Sequence, residues 1–329
     1  MHDVVSLTKT LCAIESLTGH EHEVMTFVAE LLRAEGYTVE LQTLPGTDRS
    51  NVYASLSSAP KILLTTHLDT VPPHIPVREE GEWLIGRGVC DAKGIAAAMI
   101  CAALKLKSPD VALLFVVGEE TISDGAKWAG QHLKQTFDYF IDGEPTDLKL
   151  ALSMKGALVF ELSASGKAGH SAYPQSGHSA VHQLVADAKR ILDFTWPKNA
   201  EFGHTTVNIG VIKGGQAPNV IAADAYLNGV MRLSYGVDEA ITDLKRLIDP
   251  VTTLKVLSSS APRKLHTVDG FETCHVAYGC DIPHLEKLGK ALLFGPGSIL
   301  DAHTSSEKIR IADLHTAVEK YEELCNKLI

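Results

Sequence analysis

Two imidazoles and four carboxylates carry the chemistry this sequence offers: His67, Asp91, the adjacent pair Glu119–Glu120, Glu144 and His303. Imidazole and carboxylate without thiolate are ligands for divalent ions such as Zn²⁺, Co²⁺ or Mn²⁺. Two such ions in one co-catalytic site stand ~3.5–4 Å apart and activate water for hydrolysis. His67 follows the apolar run Lys61–Thr66, and Asp69 stands two residues further on. If the strand continues, both share a face, and Asp69 is placed to hold the second ring nitrogen. Asp91 lies in the segment G-R-G-V-C-D-A-K-G, ahead of an Ala-rich stretch. It reads either as a helix cap or as a carboxylate that offers one oxygen to each of two ions. Glu119 and Glu120 end the apolar run Val111–Val117. Adjacent acids repel unless positive charge is near. A pair of ions would give them separate tasks, one as ligand and one as general base. Glu144 closes Asp142-Gly143-Glu144 after Phe137–Ile141, and His303 stands in a loop shortly before the last helix.

Elements of two kinds must position these groups. Val4–Glu35 has apolar residues at helical spacing and reads as helix up to Gly36. Thr38–Thr43 and Asn51–Leu56 read as strands. Lys61–Thr66, Val111–Val117 and Phe137–Ile141 are short continuous apolar runs, the pattern of buried strands. Ala92–Leu106 reads as a helix between two of them. Strand–helix alternation predicts an α/β domain with a largely parallel, mixed sheet flanked by helices. Three successive strands then end in potential ligands, at the sheet edge where such folds place their sites.

The middle differs. Ala157–Ala164, a helix at His178–Phe194, strands at Val207–Ile212 and Ala223–Arg232, a helix at Asp238–Ile248 and a strand at Thr253–Leu257 give the order β-α-β-β-α-β. That is a ferredoxin-like α+β unit. The expected organisation is a discontinuous catalytic domain (1–155 and 266–329) with residues 156–265 inserted.

Composition removes other classes. Among 329 residues, 45% are hydrophobic and 21% charged, with a formal net charge of −10. Nucleic acid is not an expected partner, since phosphate binding needs a basic footprint. No uncharged apolar run reaches membrane-spanning length and no signal-peptide pattern opens the chain, so a cytoplasmic protein is expected. Six scattered cysteines without a C-x-x-C pair read as reduced thiols. No G-x-G-x-x-G follows the first strand, which argues against a nicotinamide-binding protein.

The motifs together resemble the M20 family of metallopeptidases and amidohydrolases. The matching segments are H-L-D-T-V-P (67–72), G-R-G-V-C-D-A-K-G (86–94), G-E-E-T (118–121), D-G-E-P-T (142–146), G-x-x-G-H-S-A-Y-P (166–174), A-P-N-V-I (217–221) and the late His303. The resemblance implies that Asp91 bridges both ions, His67 and Glu144 complete one shell, and Glu120 and His303 complete the other. It implies Glu119 as general base and Asp69 as the residue orienting His67. It also implies a cis peptide bond after Asp91. The fold implied is a metal-dependent exopeptidase-like catalytic domain carrying a lid and dimerisation domain. His170 would stabilise the oxyanion at a neighbouring subunit's site, and Asn219 and Arg232 would bind substrate from the lid side. Zinc is the expected ion, with cobalt or manganese as alternatives, and a homodimer is expected.

The substrate implied is a small N-acyl amino acid or a peptide. Deacetylation of acetylornithine or acetyl-lysine is the leading expectation. Succinyl-diaminopimelate desuccinylation or di-/carboxypeptidase action is the alternative. Two departures bear on that choice. Lys155-Gly156-Ala157 lacks an arginine pair some members carry, and Cys280 stands where threonine is frequent.

Overall fold

A computed structural model describes residues 2–329. In chain order it contains α1 (Val4–Ala13), α2 (His22–Ala34), β1 (Thr38–Thr43), β2 (Ser50–Ser55), β3 (Ile62–His67), α3 (Lys93–Leu106), β4 (Val111–Val116), α4 (Asp124–His132) and β5 (Tyr139–Asp142). Next come β6 (Gly156–Ser165), α5 (Ala180–Asp193), β7 (Thr206–Gly214), β8 (Asp224–Leu233), α6 (Val237–Leu247) and β9 (Thr253–Ser260). The chain finishes with β10 (Lys290–Leu293) and α7 (Ile311–Leu328). Two compact units result. One holds residues up to Leu152, Leu265–Cys274 and Cys280–Ile329; the other holds Ser153–Lys264 and His275–Gly279.

The first unit is built on a six-stranded sheet of order β1-β2-β4-β3-β5-β10. β1, β2 and β4 pair antiparallel, whereas β4, β3, β5 and β10 run parallel. Every residue of β3 and β4 is buried, which explains their unbroken apolar runs. Four parallel strands bring four carboxyl-terminal ends to one edge of the sheet, and each predicted ligand but Asp91 lies at or beyond one of them.

The helix α3 delivers Asp91. It packs against α1, α7 and the sheet, and its residues from Lys93 to Leu104 are all buried. Alanine suits such a helix because small side chains let neighbouring backbones approach closely. Lys93 is the exception, a buried ammonium whose Nζ donates to the carbonyls of Leu11 (3.0 Å) and Ile14 (2.6 Å) at the end of α1.

The single helix expected over Val4–Glu35 is two helices. The break falls at Ile14–Glu21, where Gly19 takes a φ of 96°. Tertiary bonds decide it. Ser16 Oγ donates to Leu68 O (2.6 Å), Thr70 N donates to Ser16 O (3.0 Å), and Thr18 Oγ1 donates to Asp69 (2.7 Å). The linker is thereby stitched to the segment that follows His67.

The second unit is a four-stranded antiparallel sheet of order β7-β8-β6-β9 carrying α5 and α6. The chain order β-α-β-β-α-β is the one read from the sequence. Burial alternates along β6, and Leu158, Phe160 and Leu162 join Leu227, Met231, Leu184 and Leu244 in a separate core. The edge strand β7 is largely exposed and presents Val211 and Ile212. No helix among the described residues is long and apolar enough to cross a membrane.

Candidate metal centre

His67 is the last residue of β3 and is almost fully buried. Its Nε2 lies 3.1 Å from Asp91 Oδ1, and its Nδ1 lies 3.0 Å from the main-chain oxygen of Asp69. The carboxylate of Asp69 stands further off, at 3.5 Å from Nδ1. Because β3 ends at His67, Asp69 turns elsewhere. Its Oδ1 accepts from Glu119 N and its Oδ2 from Glu120 N, both at 3.1 Å, while Thr18 caps Oδ2. Asp69 thus holds the Glu119–Glu120 turn with its side chain and His67 with its backbone.

Asp91 does not cap α3. The cap position belongs to Ala92, and no side chain fills that role. The two Asp91 oxygens instead face two imidazoles, Oδ1 toward His67 and Oδ2 toward His303 Nε2 at 3.2 Å. The Asp91–Ala92 peptide bond is cis, as the family resemblance implied. His303 also meets Glu120, at 2.8 Å from Oε2. The backbone of His303 has φ 62°, a left-handed conformation that costs a non-glycine residue about 1–3 kcal/mol and clusters at functional sites.

Two ligand trios emerge: His67, Asp91 and Glu144, and Asp91, Glu120 and His303. Within each trio the ligand atoms lie within 4.8 Å of one another, and Asp91 belongs to both. The donors are imidazole and carboxylate throughout. The nearby thiol of Cys90 is turned to Ser298 O and takes no part.

The electrostatics fit missing positive charge. Burial, reinforced by Glu119 and Asp91, raises Glu144 well above the ordinary carboxylate range. Burial raises Glu119 likewise, with Asp281, Glu120 and Asp91 acting against the pull of His67. The hydrogen bonds of Asp91 and Glu120 lift His303 to about 10. Burial opposes the cation of His67, yet the nearby carboxylates of Asp69 and Asp91 raise it well above 6.5. Imidazolium protons here supply charge that divalent ions would supply better. Glu119 belongs to neither trio.

The residues around this centre were not foreseen. Arg49 donates to Glu21 from Nε (2.8 Å) and Nη2 (2.7 Å) and to Asp124 from Nη1 (2.5 Å). Asn51 receives Val117 N and donates to Gly125 O. Together they clamp both ends of the loop that carries Glu119 and Glu120. Glu307 is fully buried and bound to the Asp91 loop. The sequence gives little sign of these contacts, since each partner lies tens to hundreds of residues away.

The other predicted residues lie in the second unit. His170 is exposed; its Nδ1 accepts from Ala172 N (3.1 Å), its main chain bridges Val220, and Ser171 N donates to Asn219 O. His170 and Asn219 therefore share one loop cluster. Arg232 is on β8, opposite Thr206 and Ala157, and its Nη1 would stand 3.4 Å from a Cβ placed at Gly279.

Known proteins resemble this chain in sequence and in fold. The sequence profile of "Peptidase family M20/M25/M40" matches residues 63–327. A peptidase M20 domain-containing protein of Schizosaccharomyces pombe is 40% identical over 336 residues, covering 98% of this chain and 84% of that one. An Aspergillus terreus protein named "Probable carboxypeptidase" is 40% identical over 368 residues, covering 97% and 85%. Among solved structures, a Staphylococcus aureus tripeptidase superposes with a TM-score of 0.81 at 21% identity, covering 99% of this chain and 97% of that one. A Bacillus subtilis dinuclear metal binding peptidase of the M20 family gives 0.69 at 16% identity, with 98% and 96% covered. The structural likenesses speak for the fold, and the sequence matches speak for descent: this chain belongs to peptidase family M20/M25/M40, hydrolases of peptide and amide bonds.

Proposed function

We propose that this protein is a co-catalytic di-metal exopeptidase of the carboxypeptidase type, acting on short peptides with a free carboxylate. The observation that carries the reading is the pair of ligand trios sharing Asp91. The name of the A. terreus relative favours a peptidase over the N-deacetylase expected from the motifs.

His67, Asp91 and Glu144 would hold one divalent ion, and Asp91, Glu120 and His303 the other, zinc by preference. Bound there, the ions would acidify a water and polarise the scissile carbonyl. Glu119 takes the water's proton and returns it to the leaving amine. Asp69 keeps Glu119 and Glu120 in register during that transfer through their amide groups. In this reading His170 supplies a hydrogen bond to the oxyanion, as the family resemblance implies from a second subunit. Asn219 and Arg232 meet the substrate, the guanidinium forked on its carboxylate. The open edge of β7, with exposed Val211 and Ile212, supports pairing with a second copy.

A substrate screen of metal-loaded enzyme tests this. Dipeptides and tripeptides should release their carboxyl-terminal residue, and amidation of that terminus should abolish release. Faster turnover of acetylornithine, acetyl-lysine or succinyl-diaminopimelate would replace the reading with an amidohydrolase. Sedimentation of the same preparation should show a dimer, and a monomer would remove His170 of a second subunit from the scheme.

A further inference from the structure

Glu307 occupies an unusual position. It follows His303 by four residues and precedes a short strand, Lys308–Arg310, paired antiparallel with Trp83–Ile85. The ladder sets Lys308 opposite Ile85, and one step further Gly86 N donates to Glu307 O at 2.9 Å. The pairing thus places Glu307 beside the Gly86–Asp91 loop. There one oxygen, Oε1, accepts from three main-chain amides: Gly88 N (2.9 Å), Cys90 N (3.0 Å) and Asp91 N (3.1 Å). The other, Oε2, accepts from Arg87 Nη1 at 2.6 Å. Gly88, with φ 84°, gives the loop the curl that aims these amides inward. The side chains of Arg87 and Glu307 are 2% and 0% exposed, so neither has water as an alternative partner.

A carboxylate holding three amides of a ligand-bearing loop does more than pair a charge. The amide of Asp91 is among the three, so the direction of the Asp91 side chain is fixed at its own backbone. The same carboxylate belongs to the segment that carries His303. It therefore couples the loop of the shared ligand to the loop of a terminal ligand, although 216 residues separate Asp91 from Glu307.

We propose that Glu307 is a positioning residue for the dinuclear centre, gathering the Gly88–Asp91 amides so that Asp91 presents one oxygen to each ion. The proposal rests on the di-metal reading above. Residues that orient metal ligands through hydrogen bonds typically change affinity 10–100-fold when altered.

The test is a titration of metal-free protein with Co²⁺, followed by visible absorption, and with Zn²⁺, followed by calorimetry. The wild type should bind two ions per chain. Glu307→Gln keeps the volume but weakens the acceptor, and should bind both ions at least about tenfold more weakly, with an altered Co²⁺ spectrum. Asp187→Asn serves as a matched control in the second unit. Asp187 is a buried carboxylate that accepts from Asp249 N and Thr252 Oγ1. Its replacement should lower the melting temperature while leaving metal affinity within about threefold, well inside the range expected for a ligand-orienting change. Should Glu307→Gln fail to fold, Glu307→Asp carries the test. It keeps the charge for Arg87 but withdraws the acceptor by one methylene, and tenfold weaker binding is again expected. Wild-type affinity in the folded Glu307 variant, or an equal loss in Asp187→Asn, overturns the proposal alone. A wild type that binds fewer than two ions overturns the di-metal reading and this proposal with it.

Discussion

The loops of the first unit that carry the ligands and the His170–Asn219 loops of the second are built on different principles. Around the candidate ligands, carboxylates do the holding, all but Asp124 of them buried. Asp69 grips two amides and a hydroxyl, Glu307 grips three amides and a guanidinium, and Glu21 and Asp124 share Arg49. Around His170 and Asn219 the bonds are chiefly main chain to main chain, and the side chains lie at the surface. The difference teaches where tolerance lies. A charge-gripped loop fixes its side chains in one direction, as a metal centre requires. A loop held by its backbone alone can exchange side chains and change what it recognises.

Substitutions can break that contrast or sharpen it. The largest effect is expected of Glu119→Gln, which should keep both ions and lose roughly 10²–10⁴ in turnover. Metal content by emission spectroscopy and rates with a dipeptide check it, and full activity would end the general-base role. Arg49→Met should cost about 3–5 kcal/mol of stability by stranding the buried Glu21, read by urea unfolding. Asp69→Asn should weaken metal binding by about 10–100-fold with little loss of fold, because an amide cannot accept as strongly from the Glu119–Glu120 turn. A loss smaller than that of Asn219→Ala would erase the distinction between the two regions.

The smallest effect concerns pH. In the metal-free protein His303 is raised from 6.5 to about 10. A raised folded-state value gives stability that is complete below 6.5 and lost as pH climbs through about 10. Metal binding at neutral pH must then expel imidazolium protons and weaken as pH falls. Calorimetry in two buffers of different ionisation enthalpy should detect their release, and binding without proton release would contradict the arrangement.

Much of the candidate ligand set was legible because several of its members end or follow a short apolar run that reads as a buried strand. His67, Glu120 and Glu144 follow this rule, and the β-α-β-β-α-β order of the second unit was equally plain. Asp91 was ambiguous, since an Asp before a helix is a common cap; the structure gives the cap position to Ala92 and turns Asp91 toward His67 and His303. Glu307, Arg49 and Thr18 were invisible for a physical reason. Their partners are amides and carboxylates distant in sequence, and no local periodicity marks such pairs. The break near Gly19 was missed for the same reason, because the bonds that stop the helix reach to Leu68 and Asp69.

The buried ammonium of Lys93 has a bearing on the opening segment of the chain. Its acceptors are carbonyls of Leu11 and Ile14, and it stands two residues beyond Asp91. Trimming the protein from its amino end through Ile14 would not merely shave a peripheral helix. It would remove both acceptors of an ammonium two residues from Asp91 and open its site to water, so the stretch from His2 to Ile14 helps to set the start of α3, next to the candidate shared ligand.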